Sequence, residues 1–502
     1  MVGAAGARFA LKRVSGTIRS LVRNKRALLG LFLLSAFVFM ALAAPLLSPY
    51  GPNQTVSGNL AQPEWVTNFP DGYYLSRNVA DPAVGTFTSP SSVQAWTLSA
   101  SPANLTSVEE SYNQGLHYLT DSKGSLQLTY TGSAPATFRI SETFQFPYRG
   151  PPARFLANVH YMLSQATNST PANVKVFIER SQPQSQPAVQ DYFLVNENDT
   201  VSGQWMPTAT SHVSILDSQN QALTLFLGFP LGTSASQVIF SQATSYSYGM
   251  LVTFYGHQTI NIDDFRIQLY GTAWGLLGTD YSGSDVFTQT VYGSRISLFV
   301  GLLAAGIGIG LGLVVGLLAG FLGKIVDEVL MRFTDMMLVI PTLPLLIVLV
   351  AVLGPNIYNI IIIIGFLGWM GFARIIRAQV LTLRERPFIE AAKASGAGPG
   401  RIIMKHVFPN IVSLTYVNLA LSVPAAILTE SALAFLGLSD PSVVSWGHMF
   451  ENINTSGALS SFPPTWWWVL PPGFGIALVS LSFILIGYAL DEIFNPRLRQ
   501  RR

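Results

Sequence analysis

The sequence predicts an α-helical membrane bundle of six spanning helices, with a β-sandwich domain inserted after the first helix. Two observations indicate this fold class. Apolar residues make up 49% of the chain and charged residues only 11%, and the apolar residues are concentrated in long uncharged runs. The segment between the first two runs has no such run and is rich in Ser, Thr, Asn and Gln. We therefore expect a membrane protein with one large polar insertion.

The long apolar runs mark the spans. A hydrocarbon core of about 30 Å requires roughly 20 helical residues at about 1.5 Å each. The first run is longer than the apolar core of a typical signal peptide, so we expect it to be retained as a helix. Gly354-Pro355-Asn356 divides the third apolar run into two helices joined by a turn. The predicted spans are 27–47, 296–323, two helices within 336–373, 411–429 and 466–490.

Lysine and arginine near the span ends predict the orientation, because these residues mark the cytoplasmic side. The N-terminal segment 1–26, the loop 384–410 and the C-terminal tail are all basic. We expect a multi-pass protein of the cell membrane with both termini and this loop in the cytoplasm and the inserted domain outside. The basic residues are Arg8, Lys12, Arg13, Arg19, Arg23, Lys25, Arg26, Arg374, Arg377, Arg384, Arg386, Lys393, Arg401, Lys405, Arg497, Arg499, Arg501 and Arg502. We interpret them as topogenic charge, so no nucleic-acid partner is expected.

Residues 48–271 are expected to form the extracytoplasmic β-rich domain. Short alternating stretches separated by Gly, Pro, Asn and Ser are typical of strands and turns. The predicted strands include 174–179, 223–227, 251–255 and 260–262. The ending 261–271 resembles the final strand of carbohydrate-binding-type jelly rolls, which suggests a jelly-roll-like sandwich. With no cysteine in the chain, packing alone must hold this domain.

Asp263 and Asp264 allow two interpretations. Carboxylate oxygens suit calcium, so the two residues are a candidate metal site beside a bound glycan. The spacing favours the other interpretation, an acid pair at a strand edge that faces solvent. Within residues 48–271, four asparagines also begin glycosylation acceptor patterns, which would suit an archaeal surface protein. They are Asn53, Asn104, Asn168 and Asn198.

Two features of the spans concern helix packing. Small residues recur every four positions at Gly308, Gly312, Gly316 and Gly320, which lets two helix backbones approach closely. The partner helix is either in this subunit or across a dimer interface. Glu430 follows the fifth span, where a carboxylate is costly. It either makes a structural hydrogen bond or contacts a transported molecule.

The basic loop 384–410 has the signals of two helices joined by a turn. Pro387 is tolerated in the first helical turn, and Ala391 and Ala392 favour continuing the helix. Gly396 supplies the stop, since glycine reaches left-handed dihedral angles at little cost. A second helix from Arg401 would follow. We call this loop the elbow.

The elbow resembles the EAA motif of ABC importer permeases, and its spacing fits the dipeptide and oligopeptide subfamily. The similarity extends over residues 1–50 and about 272–502, the permease core, and leaves the β-domain as an insertion. Ser284 replaces an arginine that is usual in the family. The matching segments are 278–280, 293–298, the elbow, 430–438, 445–447 and 495–498.

The resemblance implies a transport subunit that pairs with a second homologous permease in the membrane lipid. Two ABC ATPase subunits would drive it, with ATP and Mg²⁺ bound there and no cofactor in this chain. An extracytoplasmic solute-binding protein would deliver peptides or oligosaccharides. Glu390 and Arg401 would make docking contacts, with Gly396 at the bend. The other implied elbow residues are Ala391, Ala392, His406, Phe408 and Pro409.

Two other classes of protein remain open. A membrane-anchored glycan-binding receptor would explain the β-domain but needs only one anchoring helix. An enzyme would need convergent acids or a metal site, and the sequence shows no such pattern. The segment 320–325 also lacks the glycine spacing and the Ser or Thr of a phosphate-binding loop. We therefore expect ATP hydrolysis in separate subunits and not in this chain.

Overall fold

The structure is a computed structural model of the 502-residue chain. It describes residues 24–80, 85–102, 107–164, 171–182, 188–200, 203–206, 215–460 and 464–494. One compact unit is Gln54–Asp285, and the other combines Met1–Asn53 with Val286–Arg502. Three features predicted from sequence lie wholly or mostly outside the described residues. They are residues 1–23 of the basic N-terminal segment, the arginines of the tail from Arg497 onwards, and the glycosylation acceptors Asn104 and Asn168.

The described residues form fourteen α-helices, numbered in chain order. They are α1 Lys25–Leu42, α2 Ala44–Leu47, α3 Gln221–Phe226, α4 Ala235–Ile239, α5 Val286–Leu322, α6 Lys324–Val339, α7 Thr342–Leu353, α8 Ile357–Leu367, α9 Met370–Arg384, α10 Pro387–Ala394, α11 Pro399–Ile402, α12 Phe408–Phe435, α13 Trp446–Thr455 and α14 Trp466–Phe494. A π-helical turn, Ile403–Val407, joins α11 to α12. The described residues contain five helical stretches long and apolar enough to cross a membrane, or six when α6 and α7 count as one bent span.

The third predicted span differs from the structure. The apolar pattern predicts one straight helix over the first part of 336–373, whereas α6 and α7 meet at an angle of 87°. Pro341 explains the break, because proline disfavours helical dihedrals in the residue before it. Ile340 is accordingly extended, with φ −71° and ψ 128°. The first span also differs from the prediction of one helix over 27–47. The helix α1 ends at Leu42, and the short α2 follows it.

The bent pair α6–α7 contacts α9 near its start and α8 near its end. Near the start of α6, Asp327 accepts two hydrogen bonds from Arg377 of α9, including one of 2.6 Å from its Nη2. Near the end of α7, Val350 packs in one apolar cluster with Ile360 of α8. The earlier residue of the pair, Asp327, contacts the later residue Arg377, and the later residue, Val350, packs with the earlier residue Ile360. The two ends of the bent pair are therefore each packed on a helix of the next span.

The four-residue glycine repeat packs α5 against α8 and α9 of the same chain. A Cβ atom on Gly312 would lie 2.7 Å from the carbonyl oxygen of Trp369, and one on Gly316 would lie 2.6 Å from that of Ala373. Such distances are too short for any side chain. Gly308 meets the backbone of Gly365 and Gly368, and Gly320 meets Val380 and Arg377. The repeat thus serves packing within this subunit.

The β unit is a sandwich of two antiparallel sheets. Its strands are β1 Val79–Ala80, β2 Thr97–Ser101, β3 Val108–Gln114, β4 Gly124–Tyr130, β5 Ala136–Phe146, β6 Arg154–Ser164, β7 Ala172–Ser181, β8 Val189–Asp199, β9 Trp205–Met206, β10 Ile215–Asp217, β11 Thr244–Phe254 and β12 Gln258–Tyr270. One sheet has the order β10-β6-β12-β4-β3, with β1 on β12 and β9 on β6. The other has the order β2-β5-β11-β7-β8.

Alternating apolar residues of both sheets form the core of the sandwich. Inward-facing side chains such as Phe155 on β6, Ile262 on β12, Phe138 on β5 and Met250 on β11 are fully or almost fully buried. The predicted fold class, a helical membrane bundle with an inserted β-sandwich, is confirmed. The predicted strand 223–227 is wrong, since those residues lie mainly in α3. The Asn220 side chain accepts a hydrogen bond from the Ala222 amide and caps that helix.

The β unit also extends further along the chain than the predicted 48–271. Residues 272–284 run beside 55–62, with the Val56 amide donating to the Gly283 carbonyl and the Leu60 amide to that of Asp280. The segment 278–280 therefore belongs to the β unit and not to the helix α5 that follows it.

Gly316→Ala should lower the stability of the chain, because its methyl group would meet the Ala373 carbonyl. Overpacking of this kind costs about 1–3 kcal/mol. Gly310→Ala is the matched control on the same helix, since Gly310 is exposed and a methyl group there would have no neighbour within 4 Å. Thermal unfolding in detergent should show a lower midpoint for Gly316→Ala only. Equal midpoints for the two variants would contradict the packing described here.

Candidate functional site

The first half of the elbow is a short helix that ends in a glycine turn. Pro387 occupies the first position of α10. At the other end, the Gly396 amide donates to the Lys393 carbonyl and the Ala397 amide to the Ala392 carbonyl. This pair of bonds is a Schellman motif, and it requires the left-handed conformation that Gly396 adopts at φ +75°. The elbow therefore turns at the glycine that the sequence indicates.

The second half of the elbow is continuous with the next membrane helix. The structure begins α11 at Pro399, two residues before the predicted start at Arg401, and the π turn then leads directly into α12. Pro409 has no amide hydrogen and displaces the preceding turn, which accounts for a π-helical segment at this point. The Asn410 side chain donates to the His406 carbonyl at 2.6 Å. A displacement of α11 would thus be transmitted to α12.

The inner face of the elbow is held by apolar packing. Ile389 of α10, Ile402 of α11 and Val407 of the π turn are 0–2% exposed. They share a cluster with Ile376 and Val380 of α9. Ala392, Ala397 and Phe408 are partly buried against the same cluster. The two short helices are therefore fixed to the bundle and do not hang free as a loop.

The outer face of the elbow is exposed and carries both charge and apolar surface. Glu390 and Arg401 are exposed, and neither takes part in an ion pair within the described part of the chain. The rings of Phe388 and His406 lie 6.5 Å apart, with Phe388 43% exposed. Met404, two residues before His406 in the chain, is 64% exposed. A mixed surface of this kind is typical of protein interfaces.

Two ion pairs next to the elbow are not apparent from the sequence. Arg377 pairs with Asp327, and Arg374 pairs with Asp335. The sequence pattern assigns these arginines only to topogenic charge, because their partners lie about 40 to 50 positions earlier in the chain. In the structure they attach α6 to α9, the helix from which the elbow extends.

Glu430 lies in a buried hydrogen-bonded site between α12 and α13. It is 2% exposed and accepts a hydrogen bond of 2.7 Å from the Ser445 hydroxyl. The same hydroxyl accepts from the His448 amide and caps α13. A Cβ atom on Gly447 would lie 2.7 Å from the Glu430 carboxylate. This geometry corresponds to the structural alternative for Glu430, a hydrogen bond within the chain.

Trp446 joins several of the segments that match the permease motifs. Its ring is fully buried and donates to the Thr290 carbonyl at 3.0 Å. Gly293 and Gly475 lie so close to the indole that a Cβ atom on either would be 2.8 Å from it. Glycine is therefore needed at both positions to seat α13 between α5 and α14.

Asp440 fastens the chain between α12 and α13 to the start of α8. Its carboxylate accepts hydrogen bonds from the Ile357 amide and from the amide and hydroxyl of Ser442. Burial raises the pKa of this carboxyl, but those hydrogen bonds outweigh it and hold the pKa below its usual value. The stabilisation is therefore present above about pH 4 and is lost as the pH falls through the lowered pKa.

The calcium interpretation of Asp263 and Asp264 is not supported by the geometry. Asp263 is fully buried and accepts from the amides of Tyr118 and Leu119 and from the Ser122 hydroxyl. Asp264 contacts Arg266 at 2.8 Å and His160 at 3.3 Å. These protein groups occupy the carboxylate oxygens, and the described residues contain no group of three or more potential metal ligands. The solvent-facing alternative is also wrong, since both residues are buried.

Comparison with known proteins identifies the membrane unit. Residues 312–500 match the binding-protein-dependent transport system inner membrane component, and residues 15–63 match the N-terminal transmembrane domain of oligopeptide transport permease C. The dipeptide transport permease DppC of Bacillus subtilis is 39% identical over 44% of this chain and 69% of its own length. The oligopeptide permease OppC of the same organism is 37% identical over 44% of this chain and 72% of its own length.

The fold and these matches define an integral membrane transport subunit. The chain belongs to the permease family of peptide-importing ABC transporters. Its relatives are permease subunits and not enzymes. Among solved structures, the methionine ABC transporter MetNI in inward-facing conformations is similar at 19% identity and a TM-score of 0.31, over 42% of this chain and 96% of that one.

Glu430→Ala should destabilise the chain, because it removes the acceptor for Ser445 and leaves a hole in a buried site. Loss of a buried partner costs about 1–3 kcal/mol. Glu430→Gln is the control, since its amide oxygen keeps the shape and still accepts from Ser445. Thermal unfolding should place Glu430→Gln between the alanine variant and the unaltered chain. Unchanged stability of Glu430→Ala together with lost uptake would instead favour a contact with the transported molecule.

Proposed function

We propose that this chain is one of two homologous permease subunits that together line the pathway of a peptide importer, and that two ABC ATPase subunits drive it through the elbow. The observation that carries the proposal is the division of the elbow into two faces. Its apolar face is buried against α9, while Glu390, Arg401, Phe388 and Met404 remain exposed. A fixed element with an exposed mixed face is suited to receive a partner.

The proposed movement follows from the continuity of the elbow with α12. Closure of the ATPases on ATP and Mg²⁺ moves α10 and α11 as one body, because a shared apolar cluster holds them together. The backbone stays helical from α11 through the π turn into α12, so the motion is transmitted to the bundle. The ATPases must contact the inward-open and outward-open states differently to shift the balance between them.

The proposed orientation places both termini and the elbow in the cytoplasm and the β unit outside. It requires six crossings, so the bent pair α6–α7 must cross the membrane. The contacts of that pair with α9 near its start, through Asp327, and with α8 near its end, through Val350, support a crossing. The basic residues of α9 and the elbow are on the cytoplasmic side in this arrangement, as positive charges usually are.

A small cavity within the bundle fits a pathway for varied peptides. It measures about 160 Å³ and lies among α5, α7, α8 and α12. Three hydroxyl side chains, Thr342, Ser422 and Thr429, line it together with small and aliphatic residues. Because the lining is uncharged, it favours no particular peptide side chain. The second permease would complete the pathway, and an extracytoplasmic solute-binding protein would select and deliver the peptide.

Oligosaccharides are the second candidate cargo. The β unit has an exposed aromatic ring, Tyr118, which is stacked on His160 at 3.7 Å. An exposed ring of this kind can pack against a sugar, and this observation favours the second cargo. The glycan-binding receptor remains the alternative for the β unit alone. Membership of the peptide permease family makes peptides the first cargo to test.

Gly396→Val should abolish peptide uptake and the ATP hydrolysis coupled to it, while membrane insertion is retained. The reason is the φ of +75° at this residue, which a β-branched side chain does not adopt without strain. Uptake and ATPase activity in proteoliposomes that contain the complete transporter provide the measurement.

Gly398→Val is the matched control for that experiment. Gly398 lies two residues away with φ −69°, and a Cβ atom there would have no neighbour within 4 Å. It should retain uptake and coupled hydrolysis. Normal uptake by Gly396→Val, or an equal loss in both variants, would overturn the role assigned to the elbow.

A further inference from the structure

The outer face of the seven-stranded sheet contains a loop held in place by a buried carboxylate. The pairing of β12 with β6 shifts register between Asp263 and Arg266, which is a β-bulge. Asp264 adopts φ +49°, a conformation that residues other than glycine rarely adopt. Beside it, the buried Asp263 accepts three hydrogen bonds from the loop at Tyr118, Leu119 and Ser122. Strained backbone and a buried charge are costly, so their combination indicates a function for the position of this loop.

The position that the loop fixes is that of the Tyr118 ring. This ring lies nearly parallel to the His160 imidazole, with 3.7 Å between centroids and 13° between planes. His160 is only 3% exposed, whereas Tyr118 is 45% exposed. One face of the tyrosine ring is therefore covered by protein, and the exposed area is on the opposite face and edge.

A second aromatic ring stands beside the first. Trp205 of β9 pairs with Met162 of β6, which is two residues from His160 and therefore on the same face of the sheet. The Trp205 ring lies 6.1 Å from the Tyr118 ring at 60°. The two rings meet as adjacent walls of a corner rather than as a flat stack.

Of the two buried carboxylates near this corner, Asp263 is held by amides and a hydroxyl group and Asp264 is paired with an arginine. Asp264 lies 2.8 Å from the half-exposed Arg266 guanidinium and 3.3 Å from His160. The corner thus offers aromatic faces and hydrogen-bonding groups without a strong net charge. A pyranose ring matches this chemistry, because one face presents C–H groups that pack on an aromatic ring while its hydroxyl groups reach polar neighbours.

We infer that Tyr118 and Trp205 form a stacking site for a sugar ring of an uncharged saccharide. The site lies wholly within the β unit and uses no residue of the elbow or bundle, so its test does not depend on the proposed role of the elbow. Tyr118 and Trp205 contact the sugar, and Asp263 acts as a positioning residue that fixes the loop of Tyr118.

The test is calorimetric titration of the purified full chain in detergent with soluble hexasaccharides. The probes are maltohexaose, cellohexaose and xylohexaose, with a phenylalanine-containing tripeptide as the competing class. At least one hexasaccharide should bind. Tyr118→Ala should weaken that binding roughly tenfold or more, as expected for loss of a stacked ring. Tyr118→Phe should bind the hexasaccharide as the unaltered chain does, because phenylalanine keeps the ring face.

Tyr255→Ala is the matched control, because Tyr255 is on the same unit and also 45% exposed. It should leave saccharide binding unchanged. The inference is overturned if none of the hexasaccharides binds at millimolar concentration, or if Tyr118→Ala and Tyr255→Ala behave alike. It is also overturned if only the tripeptide binds in a Tyr118-dependent manner. Peptide uptake by Tyr118→Ala should remain normal, so this outcome and that of the elbow experiment are separable.

Discussion

The close approach of α5 to α8 and α9 is the contact on which the rest of the membrane unit depends. Four glycines permit it, and at Gly312 and Gly316 the neighbouring atoms are backbone carbonyl oxygens rather than side chains that could move aside. Between helices in lipid there is little hydrophobic driving force, so such close packing must supply much of the association. It fixes α9, and α9 in turn supports the elbow.

From α9 outward, the structure forms one mechanical path. Ion pairs to Asp327 and Asp335 attach α6 to α9, and an apolar cluster attaches α10 and α11 to its end. The π turn then continues into α12, whose far end contains Glu430. Through Ser445, Glu430 is bonded to the cap of α13. A push on the elbow is therefore connected by direct contacts to the opposite end of the bundle.

Features encoded in local spacing could be predicted from the sequence. The apolar runs, the glycine repeat and the stop at Gly396 each depend on residues close together in the chain. The bend at Pro341 is hidden in the sequence because the apolar pattern continues through it. The segment 223–227 alternates like a strand, yet the Asn220 cap makes it helical.

Features that depend on distant partners could not be predicted. Asp263 and Asp264 stand out as a pair in the sequence, but their roles follow from a β-bulge and from a loop more than 140 positions earlier in the chain. The stacking of Tyr118 on His160 has the same origin. Glu430 stands out because a carboxylate is rare in a membrane helix, while its partner Ser445 becomes apparent only in the fold.

The proposed mechanism requires the elbow to face the compartment that contains ATP. Labelling with a membrane-impermeant maleimide tests it directly, because the chain has no cysteine of its own. Ser395 in the elbow and Ser460 between α13 and α14 are both exposed, so each can be replaced by cysteine. In intact cells, Ser460→Cys should react and Ser395→Cys should react only after the membrane is permeabilised. Reaction of Ser395→Cys in intact cells would show that the elbow faces the outside and would contradict the proposed docking of ATPases.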